Sequence, residues 1–157
     1  MKSIISSINS ILLVSVVLFS SCKKKEKQPL LSENGSPIEL NLPKDIREIL
    51  RAEMFVLQDG ILKIRTAIKE KDYMLGKEGA SQIENPYVLN ESLTAEQREI
   101  FNQALPDDFV ELDKQIHKLA AKLANSFTKK DFKKAQKLDE QVRRKCLYCH
   151  TQYWHAN

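Results

Sequence analysis

Residues 44–70 read K-D-I-R-E-I-L-R-A-E-M-F-V-L-Q-D-G-I-L-K-I-R-T-A-I-K-E. Apolar side chains at Ile46, Leu50, Met54, Leu57, Ile61, Ile64 and Ile68 recur in steps of four and three. That is the period of one helix face, and it predicts a helix from Lys44 to about Glu70. Pro43 stands just before its start, where proline is tolerated because the missing N–H would bond to nothing in the helix.

Downstream, a short second helix is expected around 72–84, broken by Asn85-Pro86, with 85–93 as a loop. Thr94 and Gln97 have the spacing of a capping box, which starts a further helical piece over about 95–104. From Pro106 a third long stripe runs through Phe109, Leu112, Ile116, Leu119 and Leu123 and closes near Phe127. The last stripe runs through Phe132, Ala135, Leu138 or Asp139, Val142, Cys146, Cys149 and Tyr153, with Asp131 or Thr128 as its cap. Alternating β-branched runs are missing from the sequence. Long amphipathic helices joined by short connections predict an all-α fold, an antiparallel up-and-down four-helix bundle.

Upstream, residues 1–21 carry Lys2, an apolar run diluted by serines, and small residues before Cys22. That is the pattern of a secretory signal. The stretch L18-F-S-S-C22 resembles the lipobox of bacterial lipoproteins, with Phe19 in place of the usual small aliphatic residue. The resemblance implies cleavage before Cys22 and lipid on that residue, followed by a flexible tether over 22–43 and a domain over 44–157. Each buried acyl CH₂ contributes about 0.8 kcal/mol to membrane attachment. The expected location is the cell envelope, facing the periplasm, with the outer membrane as the anchoring site. Lys23, Lys24, Lys25 and Lys27 match the formal excess of +4 in the 157-residue chain. They read as a juxtamembrane cluster, and no basic face for nucleic acid is expected in the rest.

The chemistry is concentrated in C146-L-Y-C-H150. With Cys22 lipidated, Cys146 and Cys149 are the cysteines that remain, and a disulfide between them would close too small a loop to stabilise much. A structural zinc site needs one ligand more than Cys146, Cys149 and His150 supply. A thioredoxin-like pair belongs at a helix N-terminus after a strand, where the helix dipole lowers the thiol pKa. Here the pair lies near the end of a helix. C-x-x-C-H fits covalent c-type haem: two thiols add to the vinyl groups and the next imidazole bonds the iron. Residues i and i+3 share a helix face about 5–6 Å apart, a spacing that can staple one porphyrin edge.

A bundle ending in this motif resembles the cytochrome c′ family and its low-spin relatives. The resemblance rests on C146-L-Y-C-H-T-Q-Y153, on L50-R-A-E-M54 and on F109-V-E-L-D-K-Q-I-H117-K-L-A, and spans about 44–155. It implies one covalent haem c near one end of the bundle, with His150 as the proximal ligand. It also implies Met54 as the distal ligand, since the family presents a first-helix side chain to that face. Members with methionine there carry electrons; members with a non-ligating residue bind gases such as nitric oxide or carbon monoxide. Tyr153 is the aromatic expected to pack on the haem, and Trp154 replaces the family's usual arginine. Met74 is the next candidate for the distal position but is expected at the core or its boundary. His117 is expected to hydrogen-bond a neighbour or a haem propionate, and His155 to be exposed.

The resemblance implies single-electron transfer as the function, with binding of small gases as the alternative, and no carboxylate pair, nucleophile or phosphate loop points to an independent enzyme. The expected partners are redox proteins and a membrane reached through the lipid anchor, with a homodimer left open.

Overall fold

The structure, a computed structural model, describes residues 37–85 and 87–153. Cys22 with the signal and lipid-anchor reading, Trp154 and His155 all lie outside the described residues. Among those residues the chain is all-helical, as expected, with no strand. The elements are α1 (Lys44–Glu70), α2 (Tyr73–Glu84), α3 (Tyr87–Ser92), α4 (Ala95–Ala104), α5 (Asp107–Thr128) and α6 (Phe132–Tyr153).

The helix starts follow from local chemistry. The Asp72 carboxylate accepts from the backbone N–H groups of Met74 and Leu75 at 2.9 and 3.0 Å. These are amides that a helix start leaves without intrahelical partners. The Thr94–Gln97 capping box is complete in both directions, a device worth about 1 kcal/mol. At α6 the cap is Asp131, which accepts from the Lys134 N–H at 3.0 Å. Thr128 instead donates back to the Ala124 carbonyl at 3.1 Å.

Residues 85–93 are not a plain loop, because Tyr87–Ser92 forms a short helix. Its cause is Glu53 of α1, which is 1% exposed and accepts from the Leu89 N–H at 3.0 Å. A carboxylate at a helix N-terminus meets both free N–H groups and the positive end of the helix dipole.

Four helices pack in sequence: α1 on α2, α2 on α5, α5 on α6, and α6 back on α1. At the α1–α2 and α5–α6 contacts, paired residues rise along one helix as they fall along the other. Asp59 meets Gln82 and Lys63 meets Glu78 between α1 and α2. Between α5 and α6, Phe109 stacks edge-on to Tyr153 and Phe127 to Phe132. The main core joins Ile64, Ile83, Leu112, Leu123, Phe127 and Val142.

The α1–α2 crossing is close enough to exclude side chains at two positions. A Cβ on Gly60 would lie 2.7 Å from the Gly79 carbonyl oxygen, and one on Gly79 would lie 2.6 Å from that of Gly60. Gly76 likewise yields its space to the fully buried Phe127 ring. With Gly76, Gly79, Ala80 and Ile83 forming the inner face of α2, Met74 falls on the opposite side. It is 64% exposed, which corrects the core or boundary position expected for it.

The stretch read as tether is partly structured. Leu42 is buried with Ile46, Leu93 and Phe101 in a second small core. The Ile38 N–H donates to the Gln152 carbonyl at 2.6 Å, and Arg47 donates to the Leu42 carbonyl at 3.1 Å. Residues 37–43 therefore form a strap fastened to the end of α6.

A cleft that gathers the C-x-x-C-H motif

The strap, α1, α5 and α6 enclose a cleft. From α6 come Cys146, Cys149, His150 and Tyr153; from α1, Leu50, Arg51, Met54 and Leu57; from α5, Phe109, Asp113 and Ile116. Its cavity, of about 160 Å³, adjoins a second of about 630 Å³. Arg51, Met54, Leu57, Cys146 and His150 line both. The second extends past Met54 to Phe55, Ile61, Ile83 and Arg143. The larger volume falls in the usual range for small-molecule and cofactor sites.

Geometry explains why these residues meet. Residues 149 and 150 lie three and four after 146, and 153 lies four and three after them, so one face of α6 carries them all. Met54 sits on the inward stripe of α1, three residues before Leu57. The structure therefore brings the two cysteines, His150, Tyr153 and Met54 to one place. Tyr153 is buried and packs edge-on to Phe109 with ring centroids 5.2 Å apart. The Met54 side chain is half-buried and His150 remains exposed at the cleft.

Burial sets the thiol chemistry. It pushes the Cys146 thiol up to about 11 and the Cys149 thiol up to about 12, with the nearby Asp113 charge adding to the second. A redox-active pair needs the opposite shift. Burial also lowers the His150 pKa, which favours the neutral imidazole that a metal ligand must be. Among the described residues no cluster of three or more His, Cys, Asp or Glu side chains is placed to hold a bare metal ion. A haem brings its own four ring nitrogens, so the protein need supply only the two axial donors.

His117 lies beside the cleft rather than in it. Its Nδ1 bonds the Ile83 carbonyl, and its Nε2 pairs with the cleft-lining Asp113 at 3.2 Å. Two acceptors facing one imidazole favour a proton on each nitrogen. Burial opposes the charge, but Asp113, the Ile83 carbonyl and the Glu53 charge outweigh it, so the pKa is raised above 6.5. A raised folded-state pKa stabilises the fold fully below the unfolded value, and that gain is lost as pH rises through the folded value. His117→Gln is expected to destabilise the protein more at about pH 5.5 than at about pH 8.5. Urea unfolding of both proteins at the two pH values checks this; an equal loss at both would show that the charge contributes nothing.

Sequence reasoning missed Glu53 and the strap. Glu53 lies seven residues after Ile46, on the apolar stripe, and an acid on such a stripe is the signal that was available. One of its oxygens, Oε1, is buried with no hydrogen-bond partner among the described residues. Nothing in residues 37–43 announces packing except Ile38, Leu40 and Leu42.

Comparisons with protein-family profiles, with curated proteins and with solved structures find no match for this chain. Its likeness to the cytochrome c′ family stands on the quoted motifs alone. No helix among the described residues is long and apolar enough to cross a membrane.

Proposed function

We propose that this chain is a monohaem c-type cytochrome of cytochrome c′ type that carries single electrons, anchored by lipid at Cys22 and facing the periplasm. In this reading α1, α2, α5 and α6 form an antiparallel up-and-down four-helix bundle, which the residue pairs running in opposite directions support. The observation that carries the functional reading is the convergence of Cys146, Cys149 and His150 from α6 with Met54 from α1 on one apolar cleft.

The residues present fit a haem. Cys146 and Cys149 offer two thiols on one helix face, His150 offers an imidazole, and Met54 offers a thioether from the facing helix. Leu50, Leu57, Phe109, Ile116 and Tyr153 keep water from the site. Arg47, Arg51 and Arg143 line the cleft and offer cations to propionates. When bound, haem supplies a one-electron couple, and methionine ligation raises its potential relative to anionic ligands.

A second reading, a five-coordinate protein that binds nitric oxide or carbon monoxide, is favoured by one observation. The larger cavity continues past Met54 into apolar room bordered by Ile61 and Ile83, where a diatomic molecule fits.

The deciding experiment is the visible spectrum of the haem-matured protein in both oxidation states, with and without carbon monoxide. Electron transfer predicts a low-spin spectrum that the gas leaves unchanged, and a Met54→Ala variant that the gas shifts. A wild-type spectrum shifted by the gas would instead make Met54 a packing residue and the protein a gas binder.

A further inference from the structure

Charge along the chain is segregated, although the total is small. Residues 84–113 hold eight acidic side chains and one arginine, whereas residues 114–145 hold eleven lysines and arginines and three acidic residues. The near-neutral sum hid this, and the fold turns it into a surface feature. A groove of about 400 Å³ runs between α5 and α6, and Lys118, Lys122, Arg144 and Lys145 line it. None of the four has an ion-pair partner within 4.0 Å among the described residues.

The groove also has structure. Lys145 donates to the Gln115 side-chain oxygen across it at 2.6 Å, and the Gln115 amide donates to Glu111 at 2.9 Å. The charges of Lys118, Lys114 and Lys145 act on that Glu111 carboxylate. Lys145 immediately precedes Cys146, and Cys149 lies about 6 Å further along the helix axis. Two groove residues, Gln115 and Lys145, are thus next in sequence to the cleft residues Ile116 and Cys146.

We propose that the α5–α6 groove is the docking surface for an acidic redox protein, whose surface carboxylates pair with Lys118, Lys122, Arg144 and Lys145. Complementary charge of this kind speeds encounter and fixes orientation more than it raises affinity. Nucleic acid fits poorly, since Leu119 and the amides of Gln115 and Gln141 offer no ring on which bases could stack. A bilayer is flat where the groove is concave, and Lys23–Lys27 already supply charge next to the expected anchor. The partner's redox role rests on the function proposed above; the groove's preference for carboxylates does not.

The test uses the full mature chain and poly-L-glutamate as probe, followed by backbone amide shifts and titration at low and high salt. Binding at low salt is expected to shift residues around 115–122 and 141–145. Replacing Lys118, Lys122 and Arg144 together by glutamine should weaken it about tenfold, while glutamine at Lys23, Lys24 and Lys25 should not. Equal binding by the two variants overturns the proposal. So does tighter binding of a single-stranded oligonucleotide or of phosphatidylglycerol vesicles through the same residues. Self-association at low salt that the triple variant abolishes would overturn it in favour of a second copy of this chain. The peptide needs no cofactor, so a chain that binds it yet carries no haem would refute the electron-transfer reading and leave the groove intact.

Discussion

Serine at both Cys146 and Cys149 is expected to abolish covalent haem attachment while leaving the helices in place. Serine matches cysteine closely in shape, but its hydroxyl does not form a thioether with a vinyl group. Both cysteines are only partly buried at the edge of the core, so the added hydroxyls keep access to water and cost little. The contrast is measured on one preparation. A denaturing gel stained for haem should be positive for the wild type and blank for the double variant, with helical circular dichroism alike in both. Each single variant should keep one bond and a weaker stain. A double variant that still holds haem through denaturation would place attachment elsewhere and remove the basis of the proposed function.

The second large effect is expected at the α1–α2 crossing. Alanine raises helix propensity by about 1 kcal/mol over glycine, so Gly60→Ala and Gly79→Ala should stabilise two isolated helices. In the fold each is expected to destabilise by roughly 1–3 kcal/mol. The added methyl at 79 meets the Gly60 carbonyl oxygen and the Lys63 Cβ at 2.6 and 2.8 Å, and backbone has no rotamer by which to move aside. The double variant should lose less than the sum, because the first methyl already forces the helices apart. Urea midpoints at constant slope measure all three. A neutral or stabilised single variant would show that the crossing is looser than these distances state. Gly60 lies six residues from Met54, so the same variants should also disturb what Met54 reaches.

The long helices were legible because their stripes are regular: each of α1, α2, α4, α5 and α6 lies within a residue or two of its expected span. The short helix at Tyr87–Ser92 was not, since its cause is a carboxylate thirty-six positions away in sequence. Met74 was misplaced because a glycine face, Gly76 and Gly79, carries no hydrophobic signal although it is the buried side. That the motif residues share a face was legible from their spacing, and that Met54 faces inward from the stripe of the first helix; a ligand role for Met54 came only from the family resemblance. The basic groove was hidden by arithmetic: net charge sums over the chain, whereas a partner meets one face.

The bond from Ile38 to Gln152 also has a mechanical meaning. Both ends of the described chain leave the fold at the same pole, beside the cleft. Tension entering through the N-terminal segment would load that one bond and the seat of Leu42 first. The strap would peel away before the force reached Phe127 in the main core. The cleft is thus the part of the molecule most exposed to strain, and anything joined ahead of residue 37 would pull on its door.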